Sequence, residues 1–323
     1  MLTILPRLTS IPASKNLLAQ KNTKNSSTNS SDTFTNSNKN VSFRGLNFYV
    51  SHLLRAETYS VDGDLFLNDE NRKSIDIPGE VHIIGNSNVK KIKARTVELR
   101  DGSASDKINA KYITLFDNST AKRILAETSA CIHTDNKVGS VISGGNVDAQ
   151  TDKGGLIEQI TAKDSILLGQ NVTAIKAIAP EVEVINNALA GEINTSLAII
   201  SCNSKVNKIN SNDSVRVRGY ARVKEINSEH HVGLSDECKV GKIVMGGNDA
   251  EVHIMDNPQF DNIEFIKGNG KIILHPDYRG DFPEIDMAKI KGGKIEQTGK
   301  RAIENTCNAN VDIKYIVEYL NNF

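Results

Sequence analysis

Residues 209–223 read INSNDSVRVRGYARV, and residues 226–240 read INSEHHVGLSDECKV. The two align without a gap. Each opens on Ile-Asn-Ser, continues with Val215-Arg-Val217 or Val232-Gly-Leu234, and ends on Ala221-Arg-Val223 or Cys238-Lys-Val240. Every one of these triplets sets apolar or small residues on either side of a polar residue or, once, glycine, the period-2 signature of a strand with one face buried. Three such strands about six residues apart, followed by the same three again, describe one coil of a solenoid stacked on the next.

Working outward, the first isoleucine of the unit recurs as a column: Ile75, Ile92, Ile108, Ile124, Val141, Ile160, Ile175, Ile193, Ile209, Ile226, Ile243 and Ile263. Successive gaps are 17, 16, 16, 17, 19, 15, 18, 16, 17, 17 and 20 residues. The pattern predicts an all-β fold, a single-stranded parallel β-helix with three sides, about 17 residues per coil and 12–13 coils. At roughly 4.8 Å per coil the stack would be a rod about 60 Å long. The second inward position is mostly small, as at Ala94, Ala110, Ala126, Ser143, Ala162, Ala177, Thr195, Ser211 and Ser228. Small residues beside isoleucines keep a thin core close-packed. The long gaps fall at Gly144-Gly145, Gly154-Gly155 and Gly246-Gly247, where loops or bulges at a corner are expected.

The flanks read differently. Residues 21–40 hold fifteen Asn, Ser or Thr out of twenty, too little apolar surface to offset ordering entropy. A disordered leader is expected over 1–45. Leu46, Tyr49, Leu53 and Leu54 have helical spacing and suggest a short N-terminal cap over 46–58. The β-helix is placed at 59–300, with further strands at Ile272/Leu274, Ile285/Met287 and Ile295. Ile313, Ile316, Val317 and Leu320 fall at i, i+3, i+4 and i+7, which predicts a short C-terminal capping helix within 301–323.

Composition excludes little. Lys and Arg total 39 and so do Asp and Glu, so net charge predicts no polyanionic partner. No stretch reaches the 18 apolar residues of a membrane span, and Pro6, Arg7 and Pro12 interrupt any secretory core. A cytoplasmic location, with envelope contact allowed, is the expectation. Cys131, Cys202, Cys238 and Cys307 show no metal-ligand spacing; Cys131 and Cys238 fall on inward columns as core filler.

Outward positions carry two charge patterns. Glu192, Lys208, Glu225 and Lys242 precede four successive anchors and alternate in sign, so neighbours attract. Asn194, Asn210 and Asn227 follow three anchors and suggest an amide ladder. In contrast, Lys91, Lys107 and Arg123 are all positive, within a basic stripe from Lys90 to Arg123 that could meet an envelope surface or an anionic polymer. It lacks the aromatic interleaving single-stranded nucleic acid requires, and no specific nucleic-acid contact is expected.

One triplet bears on catalysis. Asp101 and Asp117 share a place on adjacent coils, His133 takes that place on the next, and such a group could serve acid–base chemistry. Asp101-Gly102 and Asp117-Asn118 are also turn pairs, and the turn reading prevails. His230-His231 reads as one inward and one outward strand residue rather than as a metal site. His52, His82, His253 and His275 show no ligand spacing either, and no phosphate loop or HExxH occurs. No catalytic, cofactor-binding or metal residue is therefore assigned, no cofactor is expected, and the chain reads as a non-enzyme.

The unit Ile-x-Ala/Ser-x-x-x-Val-x-Val/Leu-x-x-x-Ala/Cys-x-Val, as in Ile209 through Val223, resembles the repeats of bactofilins. The resemblance covers about residues 75–265. It implies a right-handed parallel β-helix, disordered tails, no nucleotide, self-association, and a structural, cytoskeletal role in a bacterial cell. This chain departs in its longer array, sparser corner glycine and expected C-terminal cap. The function so implied is a structural scaffold, a rod that self-assembles or presents partners; the alternative is a surface or secreted solenoid that binds or acts on polysaccharide.

Overall fold

The hydrogen bonds between coils decide the register. In the computed structural model, which describes residues 40–44, 48–50, 58–62, 65–68, 71–267, 269–277 and 280–298, all 25 strands join one sheet and every pairing is parallel. They belong to one unit of the chain, Thr33–Phe323. The result is a β-solenoid of about 12 turns whose equivalent positions lie about 17 residues apart. Among the described residues, helix is confined to one 3-10 turn, Met287–Lys289, capped by the Asp286 carboxylate accepting from the Ala288 amide at 3.0 Å.

Most coils contribute two strand segments, and five run them together as one long strand, such as Lys205–Val217. Arg222–Ser228 carries inward Val223, Ile226 and Ser228, with a bend at Lys224-Glu225, and His231–Leu234 carries inward Val232 and Leu234. With Ala221 also buried, the three inward pairs Ala221/Val223, Ile226/Ser228 and Val232/Leu234 line three sides, so the expected third strand is the first half of a bent one. Arg222–Ser228 pairs below with Lys205–Ser211 and above with Lys239–Met245, and Ile209, Ile226, Ile243 and Ile263 stand in one ladder.

One anchor moves. Ile160 pairs with Ala177, and Ala177 pairs with Ile193, whereas Ile175 is 55% exposed. Ile175 sits two residues before the anchor, at the outward bend that Lys122, Gly139, Lys224 and Gly241 occupy on other coils. The gaps of 15 and 18 then become 17 and 16, and Ala179 joins the small-residue column opposite Ala162. Space at this bend is limited by the coil below: a Cβ on Gly139 would lie 2.2 Å from the Lys122 carbonyl oxygen.

The opposite corner has its own chemistry. Asn186-Asn187, Cys202-Asn203, Gly219-Tyr220 and Asp236-Glu237 all have positive φ, between 53° and 64°. The amide that follows each pair donates back across the turn, as from Ala188 to Ile185 at 3.2 Å and from Cys238 to Ser235 at 3.3 Å. Two consecutive left-handed residues make a type I′ turn, which Asn, Asp and Gly enter at least cost. Cys238, directly after this corner, is fully buried, and burial pushes its thiol up to about 12. Cys131 differs from expectation. It is the outward residue between Ala130 and Ile132, half-buried, in line with Thr114 and Asp148.

The ends also differ from the sequence reading. Asn40–Arg44 pairs with Thr58–Asp62, and Phe48–Val50 pairs with Leu65–Leu67, so strands occupy part of the stretches expected to be leader and helical cap. A solenoid edge gains a full ladder by adding strands, which the weak helical spacing of a few leucines does not outweigh. Beyond Ile263 the anchor ladder continues at Ile290, while Ile285 and Met287 lie in the connection, Met287 exposed. Residues 1–39 and the helix expected within 301–323 lie outside the described residues.

Side-chain ladders follow the backbone register. The Asn210 amide donates to Asn194 Oδ1 at 2.9 Å, and the Asn227 amide donates to Asn210 Oδ1 at 3.0 Å. Beside them run the ion pairs Lys176–Glu192 at 3.5 Å and Lys208–Glu225 at 3.1 Å. Replacing Ile209 with Asp is expected to lower unfolding stability by roughly 4 kcal/mol or more, because it buries an unpaired charge. Ile175→Asp, at the exposed bend, is expected to change it by no more than about 0.5 kcal/mol. Urea titrations of both variants check the corrected register; equal losses would contradict it.

Candidate functional site

The richest side-chain cluster lies on the outward face of the four-residue strands near the end of the stack. Ser214, His231 and Glu251 share one column, and Arg216, Gly233 and His253 share the next. Because successive coils put residues 20 apart side by side here, His231, Glu251 and His253 meet although no local motif joins them. One ligand atom from each (a ring nitrogen of His231, a Glu251 carboxylate oxygen and a ring nitrogen of His253) lies within 4.8 Å of the other two. Glu251 Oε2 is 3.1 Å from His253 Nε2 and 3.7 Å from His231 Nδ1.

A fourth residue completes the group. His275 Nε2 lies 2.9 Å from His253 Nδ1, and the two rings stack with centroids 5.2 Å apart. His275 is held by its own backbone, whose N–H donates to the Ile254 carbonyl at 2.9 Å. Both rings are buried, His253 at 7% exposure and His275 at 2%. Gly233 has no side chain beneath His253, and a cleft of about 560 Å³ opens there, lined also by Arg216, Ile273 and Gln297. Burial holds the His253 imidazole below its ordinary range, partly opposed by the Glu251 carboxylate and reinforced by His275 and His231. A neutral His253 can donate from only one ring nitrogen. Donation from Nε2 to Glu251, with His275 Nε2–H donating to Nδ1, satisfies all three groups. It leaves His231 Nδ1, which is buried and has no hydrogen-bond partner.

The acidic corner and its neighbouring histidine are placed otherwise. Asp101 and Asp117 both have φ of 53° and form the left-handed corner, with the Ser103 and Ser119 amides donating back to Arg100 and Phe116 at 3.1 Å. His133 does not join them: the register sets Phe116 against His133 and Asp117 against Thr134. The His133 ring meets Phe116 edge-on at 5.7 Å. His230 and His231 also depart from the expected one-in, one-out arrangement. Val232 is the inward residue, His230 is exposed and His231 lies on the outer face.

No family model, curated protein or solved structure matches the chain. Geometry alone therefore carries the functional reading.

The basic stripe is continuous in space. Lys91, Lys107 and Arg123 stand in direct register on three coils, and among the described residues none of them pairs with a carboxylate. Their neighbours are paired: Lys93 with Asp76 at 3.6 Å, Arg95 with Glu80 at 3.0 Å and Lys122 with Asp106 at 2.7 Å. Like charges in direct register repel, so this column offers an anion a ready place. Among the described residues no helix is long and apolar enough to cross a membrane.

On a different outward column, Glu183 stands partly buried between Leu167 and Ile199. Its burial raises the carboxyl above its ordinary range; Arg218 opposes the shift and Glu181 adds to it. A raised folded-state pKa means that stability present below the unfolded value is lost as pH climbs through the folded one. Glu183→Gln is therefore expected to be more stable than the parent at neutral pH and to lose that advantage toward pH 4. Paired urea melts at the two pH values test this; a variant weaker than the parent at neutral pH would overturn it.

Proposed function

We propose that this chain is a non-enzymatic structural scaffold, a β-helical rod that self-associates or presents partners along its outward columns. What carries the reading is the continuous parallel ladder through about 12 turns. Inward positions are almost wholly aliphatic or small, so the length of the stack is invested in a regular surface. Each exposed column then repeats one type of group at roughly 4.8 Å, a spacing suited to a periodic partner. The bactofilin-like character suggested by the repeat belongs to this proposal, and so does a place in the bacterial cytoplasm at the envelope.

The Lys91–Lys107–Arg123 column supports contact with an anionic surface by the same logic. Purified full-length protein is expected to form concentration-dependent assemblies in electron micrographs and in sedimentation velocity runs. Monomers alone, across salt and concentration, would remove self-association. For the surface, co-sedimentation with phosphatidylglycerol vesicles at low salt is expected to fall sharply in the triple Lys91→Glu, Lys107→Glu, Arg123→Glu variant. Equal binding by parent and variant would show that the column is not the contact.

A further inference from the structure

We propose that His231, Glu251 and His253 bind a divalent transition-metal ion of the zinc class, with His275 orienting His253 from behind. The donor set is two imidazole nitrogens and one carboxylate oxygen. This combination suits zinc and its neighbours rather than magnesium or calcium, which take oxygen ligands. Three protein ligands facing an open cleft leave a fourth position for water or for a partner's side chain.

Geometry and an orphaned atom both point to the ion. Bonds of roughly 2.0–2.1 Å in a tetrahedral site put ligand atoms about 3.3–3.4 Å apart. Glu251 Oε2 is already 3.1 Å and 3.7 Å from its two histidine partners. The remaining separation, between a ring nitrogen of His231 and one of His253, is within 4.8 Å. His231, partly exposed at the strand start, can close it by turning its ring. Its Nδ1 is buried without a hydrogen-bond partner, and a cation is the group that would satisfy a bare nitrogen beside a carboxylate.

His275 supplies what a metal-bound histidine ordinarily has, an acceptor for its other N–H. Without metal, the tautomers that satisfy the Glu251 carboxylate run the donors from His275 Nε2 to His253 Nδ1 and from His253 Nε2 to Glu251. A metal needs the lone pair of His253 Nε2, so the His253 proton moves to Nδ1 and donates to His275 Nε2. His275 then carries its own proton on Nδ1. Each ring keeps one proton, and the hydrogen bond at 2.9 Å reverses direction. The bound ion would tie together the coils of His231, of Glu251 and His253, and, through the hydrogen bond, the segment of His275.

Cobalt(II) is the probe, because its visible bands report coordination number and ligand type. Chelator-stripped full-length protein is expected to bind one equivalent, with bands of a four- or five-coordinate nitrogen–oxygen site. His231→Ala and Glu251→Gln are expected to weaken binding at least about 100-fold, and His275→Gln by about 10–100-fold. His82→Ala, at a histidine outside the cluster, should bind as the parent does. Nitrogen-15 spectra of the unmodified protein give a second readout that needs no variant to fold: zinc should move the His253 proton from Nε2 to Nδ1. No stoichiometric cobalt binding overturns the site, as does binding that both variants retain or a His253 proton that stays on Nε2. None of these readouts requires assembly, so this proposal and the scaffold reading stand or fall separately.

Discussion

Parallel hydrogen bonding between successive coils is the constraint on which everything else rests. Once Ile209 pairs with Ile226 and Ile226 with Ile243, every residue acquires two fixed neighbours, one a coil before and one a coil after. A single coil buries little, because its inward pairs have nothing above or below them. Stacked, each fully buried isoleucine is worth roughly 1.5–3 kcal/mol relative to exposure. The cooperativity that results is between neighbours, as in other one-dimensional repeats. The corners serve the same end: left-handed pairs such as Asn186-Asn187 and Asp236-Glu237 turn the chain in two residues and return it to the ladder.

Outward residues inherit the constraint without choosing it. A charge placed on one coil faces whatever the next coil puts at the same position. From Lys176 to Lys242 the signs alternate and ion pairs form, each worth a few tenths of a kcal/mol at such exposed sites. From Lys91 to Arg123 they do not alternate, and the stack tolerates the repulsion. Glu183 shows the same cost in another form, a carboxyl held where water reaches it poorly.

The backbone architecture is legible from Ile209–Val240 alone. Three short inward alternations inside a period near seventeen fit a stacked three-sided coil, and they fit neither a helix nor an open sheet. Where sequence and structure part, the difference is one of register, and each case has a local cause. Ile175 imitates an anchor because it is apolar and near the right spacing, yet Ala177 holds the place; a smaller core residue there outweighs hydropathy, since the ladder fixes position. Counting matches His133 to Asp117, whereas the bulge between Ala110 and Tyr112 shifts the pairing by one residue, to Thr134. The histidine cluster is invisible to ligand motifs of short spacing. Its signal is His231, His253 and His275, each 22 residues apart, which is one 20-residue coil plus one step of alternation along a strand.

The amide ladder through Asn194, Asn210 and Asn227 runs one way. Each donor belongs to the later coil and each acceptor to the earlier one, so the side-chain dipoles add instead of cancelling. This part of the solenoid is electrically a vector along its own axis, positive toward the earlier coils. A field with a head and a tail makes the two directions along the axis unequal for a charged group that approaches this face. A short run of carboxamides thus adds an electrical sense to an axis that the parallel coils already make directional.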